Sequence, residues 1–228
     1  MYILLILLIL LAIVFGPQWW AQHTFKLYAK PRNDIPGSGA ELARHLLQKH
    51  DMLHVKVEQA EADNDHYDPS DKTVRLSPHN YNDNSLTAIV VAAHEVGHAI
   101  QDYRNEPMLA WRGKLVGMAN HVQKLGAGFL LMIPIIALLT RSPMLDLLFF
   151  AAGIASLGLS ALVHVVTLPV EMDASFNKAL PILFKGNYIS EKDRPAARRI
   201  LKAAALTYVA ASLASLLNLW RWIAILRR

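Results

Sequence analysis

Four stretches of this chain are too apolar to be left in water: residues 1–15, 126–140, 144–168 and 203–226. A helix of about 20 mostly apolar residues crosses the hydrocarbon of a bilayer, and a helix satisfies its own backbone groups there. The stretches therefore predict a mainly α, integral membrane fold with about four transmembrane helices. Composition agrees: 54% of the 228 residues are hydrophobic, and mean hydropathy is +0.25, too apolar for an ordinary soluble domain. There is no cysteine, so neither a disulfide framework nor a thiolate metal site is available. A net charge of +5 would raise nucleic acid as a partner for a soluble protein. Positive cytoplasmic loops explain it better, and the expected partner is the lipid membrane, with no nucleic acid.

The first apolar run is followed by Gly16-Pro17-Gln18 and then Trp19-Trp20. No basic residue precedes the run and no small-x-small cleavage site follows it, so residues 1–20 read as an uncleaved anchor rather than a signal peptide. The tryptophan pair suits a membrane interface. Lys26, Lys30 and Arg32 come directly after, which places residue 21 onward in the cytoplasm. On that orientation the chain divides into a cytoplasmic portion at 21–114 and a helical hairpin of spans at 115–168, kinked at Pro134. A cytoplasmic segment at 169–202 and a C-terminal helix at 203–228 follow. Of the 23 Lys and Arg residues, 12 lie in 21–125 and 7 in 169–202, so 19 then fall on the cytoplasmic side. Arg221, Arg227 and Arg228 would face outside, against the rule, unless the last helix lies in the interface.

Within the cytoplasmic portion, residues 38–50 read as an amphipathic helix, with Leu42, His45, Leu46 and Lys49 near one stripe. Residues 53–59 alternate like a strand, and Thr73-Val74-Arg75-Leu76 is a second strand, ended by Pro78. The acidic stretch 63–71 lacks EF-hand spacing and reads as a solvated loop. The strands predict a small β-hairpin or sheet beside the next helix, residues 85–103. Ser85 can cap that helix.

This helix carries His94-Glu95-Val96-Gly97-His98, an H-E-x-x-H pattern. Positions four apart share one helix face, so both imidazoles can meet one ion. Glu95 is turned about 100° away and stands beside that ion, placed to accept a proton from a water. The residues before the pattern are almost all apolar, and a carboxylate at the end of a buried helix needs a partner such as a metal. A catalytic zinc takes a third protein ligand and keeps one position open. The candidates are Asp102, Glu106, His121, His164, Glu171 and Asp173. Arg104 stands where a third histidine would fall in the H-x-x-G-x-x-H extension, which excludes that class. Glu171 fits best, opening a polar stretch just beyond the third span. Asp173 is a candidate to orient a ligand histidine. His164, seven residues before Glu171, would share its face on a continuous helix and could line the cleft. Val74, Arg75 and Leu76 are candidates to align an extended substrate along a strand edge.

His66-Tyr67-Asp68-Pro69, Leu76-Ser77-Pro78, Ala92-Ala93-His94-Glu95-Val96-Gly97-His98-Ala99-Ile100-Gln101 and Thr167-Leu168-Pro169-Val170-Glu171-Met172-Asp173-Ala174-Ser175 resemble the YugP-type membrane zinc metallopeptidases of bacteria. The resemblance runs over nearly the whole chain. It implies a gluzincin-like, zinc-dependent endopeptidase of the bacterial inner membrane, multi-pass, with its site facing the cytoplasm. It also implies one Zn2+ per chain held by His94, His98 and Glu171, and Glu95 as the catalytic base. The layout is more distantly similar to HtpX-type and CAAX prenyl proteases. Those often carry an aspartate four residues after the glutamate ligand, where this chain has Ser175.

Together these readings predict hydrolysis of peptide bonds in protein substrates, membrane or misfolded ones first. A membrane protein partner or a homo-oligomer would fit as well. One rival is a non-catalytic, metal-stabilised membrane scaffold or adaptor. Another is a transporter using Asp146, His164 and Glu171, against which stands the lack of any repeat of spans.

Overall fold

A computed structural model of the protein describes residues 2–61, 64–140 and 142–209. They are mainly helical, with a small three-stranded sheet. The chain separates into two compact units. One holds the described residues up to 16, 111–168 and the last two, and the other holds residues 17–110 and 169–207.

The first unit is built from long apolar helices. Helix α1 (Tyr2–Tyr28) begins in it and runs unbroken through Pro17, so the helix does not stop at the anchor boundary expected near residue 20. Helix α5 (Pro107–Thr140) is the one helix among the described residues long and apolar enough to cross a membrane, by length and composition. Pro143–Ser156, the start of helix α6 (Pro143–Met172), is a shorter apolar stretch. Leu131, Leu138, Leu139, Leu147 and Leu148 are exposed on these helices. Gly126 lies against Ser156, with no room for a Cβ between them. Phe129 meets Phe149 edge-on at 5.4 Å. Small residues at a crossing let two apolar helices approach closely. Most of the fourth apolar stretch, residues 210–226, lies outside the described residues.

The second unit is organised around helix α4 (Leu86–Tyr103), which buries every residue from Leu86 to Gln101. The Ser85 hydroxyl accepts from the Ala88 N–H at 3.1 Å and fixes its start. Helix α2 (Gly39–Lys49) packs on it. Ser38 and Glu41 form a reciprocal capping box at its N-terminus. A Cβ on Gly39 would strike the carbonyls of Asn80, in helix α3 (Pro78–Asn82), and Ala88. Leu46, Met52, Val74, Leu76, Leu86, Val90 and Leu183 fill the core. After α6 the chain continues as a π-helical segment, Asp173–Ala179, then α7 (Leu180–Lys185) and α8 (residues 194–209).

The sheet differs from the expected pair of strands. Its order is β1 (Lys56–Gln59), β3 (Thr73–Leu76), β2 (His66–Asp68). β1 runs parallel to β3 and β2 antiparallel. The stretch expected as a loop thus contains β2, because Tyr67 turns its ring into the core and donates its hydroxyl to Asp102 at 2.5 Å. β3 is the middle strand. Val74 pairs with Val57 on one side and Tyr67 on the other. Val74 and Leu76 are buried, and Arg75 is held by Glu58, Asp68 and Asp71. Val74, Arg75 and Leu76, the candidates to align a substrate, thus lie on the strand that is flanked on both sides, whereas a strand is added to a free edge.

Candidate metal centre

His94 and His98 lie one turn apart on α4, both buried. Their rings sit 4.7 Å apart and nearly perpendicular. Each directs Nε2 at the same atom, Glu171 Oε2, at 3.2 Å. One donor atom from each of the three residues falls within 4.8 Å of the others, a spacing that one small ion can bridge. Glu171 comes from the last turn of α6 and is 0% exposed. Glu95 follows His94 directly and is also buried.

Two local features bring Glu171 to the histidines. Gly97, inside the H-E-x-x-H pattern, faces the backbone of the π-helical segment. A Cβ there would lie 2.8 Å from the Ala174 carbonyl oxygen, so only glycine allows the approach. The segment itself is wound wide, with the Leu180 N–H reaching back five residues to the Ser175 carbonyl. Such π turns inside helices frequently sit at functional sites. Here the wide turn begins two residues after Glu171 and carries Ser175 to α4.

The hydrogen bonds fix how the histidines present themselves. Gln101 donates its amide to the Val170 carbonyl at 3.0 Å and to Asp173 at 2.7 Å. Its remaining oxygen faces His98 Nδ1 at 2.9 Å. An amide oxygen only accepts, so His98 carries its proton on Nδ1 and leaves Nε2 bare toward the carboxylate. Ser175 Oγ lies 3.1 Å from His94 Nδ1, which leaves Nε2 of that ring facing Glu171 as well. A bare ring nitrogen opposite a carboxylate oxygen is a repulsive contact unless a cation lies between them. The bare Nε2 of His98 and the facing Nε2 of His94, both directed at one buried oxygen, fit a divalent ion, and a His2Glu set with oriented rings suits zinc. Where the rings are instead protonated at Nε2, with no cation between, the charge and hydrogen bonds of His98 and His94 outweigh burial and hold the Glu171 carboxyl well below its ordinary value, so the carboxylate a metal needs is anionic in either state.

The other candidates fall elsewhere. Asp102 accepts from Tyr67 and Lys72, Glu106 pairs with Lys178 at 2.9 Å, and His121 hydrogen bonds to its own helix at Gly117. His164 lies on α6, but its side chain is outside the described residues. Asp173 reaches no histidine. It accepts from Gln101, Asn177 and Lys178, and acts on His98 only through Gln101. Sequence reasoning missed Gln101 and passed over Ser175. Gln101 is three residues after His98, on the same helix face. Ser175 is four residues after Glu171, and the π-helical segment sets it beside His94.

No solved structure matches the chain. It is 35% identical over 217 residues to the "Putative membrane protease YugP" of Bacillus subtilis (strain 168), which covers 92% of each chain. The family described as "Putative neutral zinc metallopeptidase" matches residues 2–227. With nearly its whole length matched and its histidine pair and glutamate converging on one point, the chain belongs to that zinc metallopeptidase family.

Proposed function

We propose that the protein is a zinc-dependent endopeptidase of the bacterial inner membrane, multi-pass, acting from the cytoplasmic side on membrane or misfolded proteins. One observation carries the reading. Two histidine Nε2 atoms, with both Nδ1 atoms already engaged, converge on one oxygen of a buried glutamate. His94, His98 and Glu171 would hold the zinc. When bound, zinc lowers the pKa of a water toward ~7 and polarises a carbonyl. Glu95 takes the proton that the water loses and returns it to the leaving amine as the peptide bond breaks. Gln101 and Ser175 keep the rings from rotating, so that the ligands need no reorganisation during turnover. Four spans, with residues 21–114 and 169–202 in the cytoplasm, complete the proposal.

The test is Glu95→Gln beside wild type, purified as full chains in detergent, with an unfolded protein as substrate and zinc content measured in both. The expected result is equal zinc, near one per chain, and loss of cleavage in the variant. Equal cleavage by both would remove Glu95 from its role. Zinc without cleavage in either would favour the scaffold.

A further inference from the structure

On a part of the second unit away from the three zinc-ligand candidates, a pocket of about 300 Å³ opens between α2, α4 and the chain around α7. Lys49, His50, Arg104, Lys178 and Lys185 line it, and no Asp or Glu does. Lys178 is neutralised by Asp173 and Glu106. Among the described residues, however, neither Arg104 nor Lys185 makes a side-chain hydrogen bond or ion pair, and Lys49 meets only Tyr188, by hydroxyl and ring face. A structural explanation for these cations exists, because α2, α4 and α7 all end at this place. A helix C-terminus carries roughly half a negative charge. Three of them offset about half of the charge on Lys49, Arg104 and Lys185, and the Asp51 carboxylate acts on His50 as well, so what the pocket offers is two side-chain donors without partners, Arg104 and Lys185, rather than a large net charge. Burial, then the charges of Arg104 and Lys49, hold the His50 imidazole below its ordinary value against the opposing charge of Asp51.

We propose that this pocket binds a phosphate-type oxyanion. The cations that line the space come from three stretches of chain, at the ends of α2, α4 and α7, which suits a tetrahedral group that can accept from several directions. Ile100, Pro181 and Ile182 give it an apolar wall, so a phosphate ester with a small apolar neighbour fits as well as the bare ion. The source is either a soluble phosphate or the headgroup of an anionic lipid, and both offer the same chemistry.

The full chain in uncharged detergent is titrated calorimetrically with sodium phosphate, and separately with short-chain phosphatidylglycerol and phosphatidylcholine below their micelle concentrations. Wild type is expected to bind phosphate or phosphatidylglycerol saturably, and to weaken with added salt. Arg104→Gln combined with Lys185→Gln is expected to bind about tenfold more weakly or worse. Lys49→Gln alone serves if the double variant does not fold. Comparable affinity for phosphate and phosphatidylglycerol identifies the soluble ion as ligand. Much tighter binding of phosphatidylglycerol identifies the headgroup. No saturable binding of either, or unchanged affinity in folded variants, overturns the site. Zinc content is unaffected in every arm, so this outcome is independent of the peptidase reading.

Discussion

The amide of Gln101 is the side chain on which the histidine geometry turns. Its NH2 is bound to two acceptors, the Val170 carbonyl and Asp173, so it cannot flip without losing both bonds. His98 therefore has one available tautomer. Gln101→Leu keeps the volume and removes the constraint, and it is expected to weaken zinc binding about 10–100-fold. A competition titration with a zinc-chelating dye checks this without any activity assay, and unchanged affinity would reduce Gln101 to a packing residue. The two histidines and Glu95 were legible in the sequence because all three sit on one helix, whose period alone sets their geometry. Gln101 was not, because its function needs Val170 and Asp173, which only the folded chain brings to α4. Asp173, the candidate to orient a ligand histidine, stands two hydrogen bonds from His98, with Gln101 between them.

At the scale of elements, α4 and the π-helical segment behave as one piece, joined backbone to backbone at Gly97. Gly97→Ala puts a methyl group against the Ala174 carbonyl, which cannot swing aside as a flexible side chain would. The expected cost is about 1–3 kcal/mol of stability, with weaker zinc binding because the displaced segment adjoins Glu171. Thermal melts with and without zinc test it, and a melting temperature equal to wild type would count against the close approach. The helices were readable from periodicity and capping. The sheet was less so. β2 has one inward residue, Tyr67, in a polar stretch, too short to show alternation. Strand order depends on long-range pairing, so nothing local announces that β3 lies between β1 and β2. A second contact ties distant segments within the same unit: Arg32 grips Asp193 with two bonds of 2.9 and 3.0 Å. That hydrogen bonding holds the Asp193 carboxyl below its ordinary range despite an opposing effect of burial. A carboxylate depressed in the fold stabilises it above the unfolded value of about 3.9 and loses that contribution as pH falls through the folded value. Asp193→Asn is therefore expected to lower stability by about 1 kcal/mol at pH 7. The difference should close in strong acid, as followed by urea denaturation at several pH values, and a difference that persists there would point to lost packing instead.

For the whole molecule, the proposed orientation puts the second unit in the cytoplasm. The chain has no cysteine, so a single introduced thiol reports its side of the membrane without background. Leu53 is 79% exposed. In Leu53→Cys an impermeant maleimide is expected to label inside-out vesicles and to leave intact spheroplasts unlabelled, and the reverse pattern would invert the topology. The spacing of the site along the chain has a further consequence. Gln101 follows His98 by three residues, but Glu171 comes 73 residues after His98, and Ser175 comes 81 after His94. A ribosome thus releases the histidine pair long before the residues that complete it. The nascent chain therefore carries the two imidazoles without Glu171 until residues 115–168 have been made, so the proposed zinc site can close only after the hairpin that separates its two halves in the sequence has left the ribosome.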